Sequence, residues 1–182
     1  MPRLFVAVDM PDEQKAQLAA LCNGLPGARW VRDRQFHLTL HFFGNVEGPQ
    51  ARAIAEALHG VRGDPFELSL CGVGVFPPRG PPRVLWAGVE PCEEITDLHR
   101  QVERVVRRIG LPPEERKFAP HITLARLHDP PQARLLALLR DNLELTSEPF
   151  AVTGIELYSS VLASEGALHQ REASYPLFAR QP

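Results

Sequence analysis

Two short stretches carry the residues whose types and spacing could do chemistry: Phe36-His37-Leu38-Thr39-Leu40 and Pro120-His121-Ile122-Thr123-Leu124. The chain has seven histidines and only five threonines, and two of those threonines stand two residues after a histidine. Residues two apart on a strand share a face. Each stretch therefore presents a histidine with a threonine and turns its aliphatic residues toward a core. Two imidazoles and two hydroxyls meeting in one cleft suit an in-line displacement at phosphorus. One neutral imidazole takes a proton from the attacking water, and the other, protonated, gives one to the leaving oxygen. Histidine can hold either state near neutral pH. The threonine hydroxyls can hydrogen-bond the non-bridging phosphate oxygens and fix the phosphorus between the histidines. This scheme requires no metal. A zinc site formed by His37, His41 and His121 is the competing reading, because strict alternation puts His41 on the face of His37 and Thr39. Against it, no Asp or Glu sits at a matching position in these strands, and threonine is a poor zinc ligand.

The elements that must position these residues repeat along the chain. Arg3 to Met10 reads as a strand. Pro11-Asp12-Glu13 starts a helix whose Leu18, Leu21, Cys22 and Leu25 share a face, and Gly24-Leu25-Pro26-Gly27 stops it. Phe36 to Phe43 is a strand, Pro49 to Val61 a helix, and Phe66 to Phe76 a strand. Pro77-Pro78-Arg79-Gly80-Pro81-Pro82-Arg83 is the strongest break in the sequence. Val84 to Val89 then reads as a strand and Glu93 to Ile109 as the longest helix, with Ile95, Leu98, Val102, Val105, Val106 and Ile109 facing inward. Gly110 to Pro120 is a loop, His121 to Leu127 a strand, Pro131 to Leu143 a helix and Phe150 to Tyr158 a strand. Ala167 to Leu177 is a hairpin return. Both halves run strand, helix, His-x-Thr strand, helix, strand, with the motifs 84 residues apart. This predicts one domain of two similar lobes, about 1–76 and 84–166, a joint at about 77–83 and a C-terminal return over 167–182. If the lobes pack about a pseudo-twofold axis, the two polar pairs face each other across one cleft.

Composition narrows the function. The 182 residues are 44% hydrophobic and 23% charged, which is globular and not disordered. No apolar run approaches the roughly 18 residues of a membrane span, and the first residues read as a strand, not a signal peptide. Three cysteines without a CxxC argue against a disulfide framework and a thiolate zinc site, and fit a reducing cytoplasm. A net charge of −2 excludes a broadly basic nucleic-acid coat but not a small basic cleft. A monomer is expected.

Phe36-His-Leu-Thr-Leu-His-Phe-Phe-Gly44, Leu85-Trp-Ala-Gly88 and Phe118-Ala-Pro-His-Ile-Thr-Leu-Ala-Arg126 carry a resemblance. From Leu4 to about Phe178 the chain resembles the 2H phosphoesterase superfamily, and within it the RNA 2′,3′-cyclic phosphodiesterase branch, also called 2′-5′ RNA ligases. The first motif departs from the family pattern at His41 and Phe42, where a longer basic residue and an aliphatic one are usual. The resemblance implies an α+β fold of two pseudo-symmetric lobes, each an antiparallel sheet backed by helices, with the active-site cleft between them. It implies hydrolysis of RNA 2′,3′-cyclic phosphate ends to 2′-phosphomonoesters, with reversible 2′-5′ joining as a second reaction and no cofactor. RNA ends or cyclic nucleotides are the implied substrates, His37 the general acid and His121 the general base. Another cyclic or 2′-5′-linked nucleotide is an alternative substrate, and a catalytically silent RNA-end binder an alternative function. Arg126 suits a bidentate contact with phosphate, but strict alternation sets it opposite to His121, so it needs a bulge or the strand end to reach the cleft. Phe42 is a candidate for stacking on a base, as are Phe43, Phe118 and Trp30. Arg116-Lys117 is a candidate for steering an RNA end.

Overall fold

The computed structural model describes residues 3–114, 116–163 and 166–178. The chain order is β1 (Arg3–Asp9), α1 (Asp12–Ala19), β2 (Ala28–Trp30), a single 3-10 turn (Asp33–Gln35), β3 (His37–Asn45), α2 (Gly48–Leu58), β4 (Phe66–Leu68), β5 (Leu70–Phe76), β6 (Val84–Val89), α3 (Glu93–Arg108), β7 (His121–Leu127), α4 (Gln132–Asp141), β8 (Phe150–Val152), β9 (Gly154–Ala163) and β10 (Gly166–Pro176). The fold is α+β with antiparallel sheets. None of its described helices is long and apolar enough to cross a membrane.

The helices follow from local rules. The longest, α3, buries Ile95, Leu98, Val102, Val105 and Val106, the stripe its spacing predicts. Glu93 and Glu94 lie in its first turn and Arg107 and Arg108 in its last, so both ends complement the helix dipole. The helix α1 stops at Ala19, short of the predicted stretch. Leu21 and Cys22 are held instead in a turn, by hydrogen bonds from their backbone N–H groups to the carbonyls of Leu18 and Ala19. Beyond them, Gly24 takes a φ of +70°, a left-handed conformation that ends a helix.

The main sheet runs β10-β9-β1-β3-β7-β6-β5, and β4 pairs with β8 in a separate two-stranded sheet. Its centre is the junction of the two motif strands: β3 and β7 are antiparallel and pair at Leu38 and Ile122. Beyond that pair β3 leaves β7, and the short β2 takes up the same edge, opposite Ala125, Arg126 and Leu127. Leu4 through Val8 of β1 are all buried, as befits a strand with a partner on each side and packed faces above and below.

The linear division into lobes does not describe the strand partners. Residues 77–83, expected as a joint between lobes, connect the paired strands β5 and β6, and Arg83 N–H closes onto the Phe76 carbonyl at 2.8 Å. The strand β9, expected in the second lobe, lies against β1, with β10 beyond it. The physical reason is backbone satisfaction. The buried β1 needs hydrogen-bond partners on both edges, and the β9–β10 hairpin covers the edge that β3 does not. The same demand divides two predicted strands. Phe66–Leu68 leaves the main sheet for β8, and β5 starts two residues later on β6. Phe150–Val152 likewise belongs to the small sheet, and β9 begins at Gly154. The last residues of the predicted return, 179–182, lie outside the described residues.

Candidate active site

Each motif strand carries a β-bulge at the same point of its frame. Between β1 and β3 the register steps from Val6–His41 to Ala7–Thr39, which leaves Leu40 without a partner. Between β6 and β7 it steps from Leu85–Ala125 to Trp86–Thr123, which leaves Leu124 without one. An extra residue turns over everything that follows it. Thus Leu40 and His41 are both buried, as are Leu124 and Ala125. Phe42 and Arg126 then emerge on the same face as the histidines and threonines. The bulge supplies the turn that Arg126 needs to reach the cleft.

The bulge also removes the zinc alternative. His41 is 3% exposed and faces away from the cleft. Its Nδ1 lies 2.6 Å from Glu103 Oε1 on α3. It cannot converge with His37 and His121, and among the described residues no three His, Cys, Asp or Glu side chains are grouped to hold a metal.

The two candidate catalytic histidines are oriented alike. His37 Nδ1 is 2.7 Å from the Gln35 carbonyl and His121 Nδ1 is 2.7 Å from the Ala119 carbonyl, in each case two residues earlier. A carbonyl only accepts, so each Nδ1 carries hydrogen and donates it. Each Nε2 is left as the atom that takes or gives a proton. The antiparallel Leu38–Ile122 pair sets His37 across from Thr123, and Thr39 across from His121. Each histidine is therefore diagonal to the other and flanked by both hydroxyls.

Their surroundings differ. The His37 ring stacks on Phe5 with centroids 4.7 Å apart and meets His169 of β10 edge-on at 5.2 Å. Burial in this crowded wall pulls its pKa down from 6.5 to about 4, against the opposing pull of its hydrogen bond to Gln35. His121 stands edge-on to Phe76 at 4.9 Å, with Trp86 at 6.5 Å. Trp86 can lie there because its neighbour is Gly74: a Cβ at that position would collide with the indole.

A cleft of about 500 Å³ is walled by His37, Thr39 and Phe42 of β3, by Thr123 and Arg126 of β7, and by Arg29, Trp30 and His169, among others. His121 lies outside that wall. Phe42 is 44% exposed in it. Phe43 and Phe118 pack against His41 and His99 instead. Arg116 and Lys117 are exposed and not part of the wall.

Three contributors carry no signal that sequence reasoning picks out. His169 reaches the cleft only because the C-terminal hairpin folds back beside β1. Arg29 comes from a three-residue strand, too short for any periodicity. Gln35 donates its side-chain Nε2–H to the Ala167 carbonyl at 2.8 Å while its own carbonyl holds His37. It thus ties β10 to the segment that orients the histidine.

A bulged frame that occurs on both β3 and β7, and in each sets a histidine, a threonine and a third side chain on one face, suits a two-histidine phosphoesterase centre. The chain belongs to the LigT-like phosphoesterase family, whose model matches residues 8–86 and 88–169. It is 36% identical over 150 residues to an RNA 2′,3′-cyclic phosphodiesterase of Aeropyrum pernix, covering 81% of this chain and 85% of that protein. Among solved structures, TT0787 of Thermus thermophilus superposes with a TM-score of 0.83 at 27% identity, covering 98% of this chain and 100% of that one. E. coli LigT complexed with 3′-AMP superposes with a TM-score of 0.76 at 27% identity, covering 97% and 99% of the two chains.

Proposed function

We propose that the protein is a metal-independent RNA 2′,3′-cyclic phosphodiesterase, acting as a monomer in the cytoplasm. The observation that carries this reading is the repeated histidine frame, with both Nδ1 atoms held by carbonyls and both Nε2 atoms free for proton transfer. The name of the A. pernix relative and the 3′-AMP in the LigT structure support a nucleotide substrate.

The cyclic phosphate sits between Thr39 and Thr123, whose hydroxyls donate to its non-bridging oxygens. Water attacks the phosphorus as His121 Nε2 takes its proton. The bond from phosphorus to the 3′ oxygen breaks, and that oxygen receives the Nε2 proton of His37. The product is a 2′-phosphomonoester with a free 3′ hydroxyl. The same proton path serves a joining reaction, in which the 5′ hydroxyl of a second RNA end replaces water and a 2′-5′ linkage forms. In the free protein His37 is neutral at pH 7, because burial holds its pKa near 4. The anionic phosphate supplies the charge that stabilises its imidazolium, so substrate binding arms the acid. Arg126 adds a cationic contact and Phe42 a stacking face for the base.

The test is incubation with an oligonucleotide ending in a 2′,3′-cyclic phosphate, in excess chelator. The expected product carries a 2′-phosphate. A 3′-phosphate product reverses the leaving group, loss of activity in chelator restores a metal, and no turnover of any cyclic end rejects the reading.

A further inference from the structure

The two carbonyls that orient the candidate catalytic histidines are held in place by different means. The Gln35 carbonyl ends the 3-10 turn Asp33–Gln35, in which Gln35 N–H donates to the Arg32 carbonyl at 2.8 Å and Phe36 N–H to the Asp33 carbonyl at 3.1 Å. The next side chain, Phe36, is fully buried, and the Gln35 side chain ties the turn to β10. The Ala119 carbonyl lies in the irregular stretch between α3 and β7. Among the described residues, no backbone–backbone hydrogen bond fastens residues 112–119. Pro112 and Pro113 have no N–H to give.

A ring stack stands where those bonds are missing. Phe118, next to Ala119 in the chain, lies flat on His99 of α3, with ring centroids 4.0 Å apart and planes 5° from parallel. His99 is itself held from within the helix: its Nε2 is 3.8 Å from Glu103 Oε1, one turn on. The same oxygen is 2.6 Å from His41 Nδ1, on the face of β3 turned away from the cleft. His41, Glu103 and His99 are all largely buried, so close packing fixes their rotamers. A continuous path therefore runs from the first motif strand through Glu103, His99 and Phe118 to the Ala119 carbonyl, which accepts the Nδ1–H of His121 at 2.7 Å. Removing the His99 ring takes away the flat surface on which Phe118 lies, and a shift of Phe118 moves the carbonyl of the residue after it.

We propose that His99 is a positioning residue for the general base: through Phe118 it fixes the Ala119 carbonyl, and with it the tautomer of His121 and the direction of its Nε2. His99 is not part of the cleft wall, so its effect falls on the proton transfer and not on the grip on substrate. This inference rests on the role given to His121 in the proposed reaction and names what holds that ring in place.

The experiment measures kcat and KM on a nucleoside 2′,3′-cyclic phosphate and reads the tautomers of His37 and His121 by nitrogen NMR at alkaline pH, where imidazole is neutral. His99→Ala is expected to lower kcat about tenfold with KM little changed. In that variant His121 is expected to become a mixture of Nδ1–H and Nε2–H tautomers, while His37 keeps its hydrogen on Nδ1. His99→Phe, which keeps the flat surface without the imidazole nitrogens, is expected to retain the native kcat and the single His121 tautomer. Phe118→Leu is expected to reproduce the His99→Ala result, and the double variant to lose no more than either single one, because the two residues act through one contact. A native kcat or a single His121 tautomer in His99→Ala overturns the proposal. So do a His99→Phe protein as impaired as His99→Ala, losses that multiply in the double variant, and tautomer mixing at His37 and His121 alike. If His99→Ala does not fold, Phe118→Leu carries the same test with the same outcomes. If the native protein hydrolyses no cyclic phosphate, the proposed activity falls, and the His121 tautomer alone decides the positioning.

Discussion

The strands β3 and β7 are two versions of one device. In each, a histidine donates its Nδ1–H to the carbonyl two residues before, a threonine follows on the same face, and a bulge one residue later reverses the two residues beyond it. They differ in what the reversal delivers and in what surrounds the ring. On β3 the delivered residue is the aromatic Phe42, and on β7 it is the cationic Arg126. His37 is packed against Phe5 and His169, with Asp9 opposite it on β1. His121 meets Phe76 and Trp86, and its partner on β6 is Gly88. Repetition thus gives the two motifs the same local geometry, while the neighbouring strands give the two rings unequal environments. In the free protein that inequality favours a neutral His37, so in the proposed mechanism the bound phosphate has to supply the charge that sets the two protonation states apart.

The strongest way to break the comparison is to remove either ring. His37→Ala and His121→Ala are each expected to lower kcat by roughly 10²–10⁴-fold, with unchanged circular dichroism. Near-normal turnover by either variant would mean that the two strands do not share the proton transfers. Next are the hydroxyls. Thr39→Val and Thr123→Val are each expected to cost about 10²-fold in kcat. Similar losses support a phosphate held symmetrically, and a one-sided loss places it on a single strand.

The unequal environments are tested by titration. Following the ring protons by NMR, His37 is expected to titrate near pH 4 in the free protein, below the ordinary 6.5, and to move up when inorganic phosphate fills the cleft. A titration that ignores phosphate removes His37 as the acid. The sign for stability follows from the same lowering. As pH falls from 6.5 toward 4, the unfolded chain takes up a proton that the folded one refuses, so thermal stability declines across that window. His37→Gln is expected to flatten that decline.

Smaller effects belong to the residues beyond the bulges. Phe42→Ala is expected to raise KM about tenfold through lost base stacking, with kcat little changed. His169→Phe is expected to have the smallest effect, a modest rise in the His37 pKa, since a nearby positive imidazole opposes a second one. An unaltered His37 titration in that variant would leave burial, with the smaller push of the Lys15 charge, as the cause.

Much of this is legible in the residues themselves. The bounds of β6 and β7 agree with the alternation that predicts them, and the inward face of α3 agrees with its helical spacing. The differences have a common origin. Alternation places His41 on the cleft face because it assumes an unbroken ladder, and the bulge at Leu40 is a property of the pairing with β1. Prolines mark breaks in chain direction, so they set the expected lobe boundary. They do not identify the strand on the other side of a hydrogen bond. Phe66–Phe76 and Phe150–Tyr158 each read as one strand because nothing in their local pattern marks where a strand changes sheets.

By itself the sequence determined the chemical inventory and its local arrangement: two histidine–threonine pairs, each on one face of a strand, since strand alternation is settled by the backbone of neighbouring residues. Only the tertiary structure decided which side chains follow those pairs into the cleft, how deeply each ring is buried, and that Arg29 stands opposite Arg126. Those outcomes depend on register and packing between strands far apart in the chain, and a one-residue bulge is enough to reverse them.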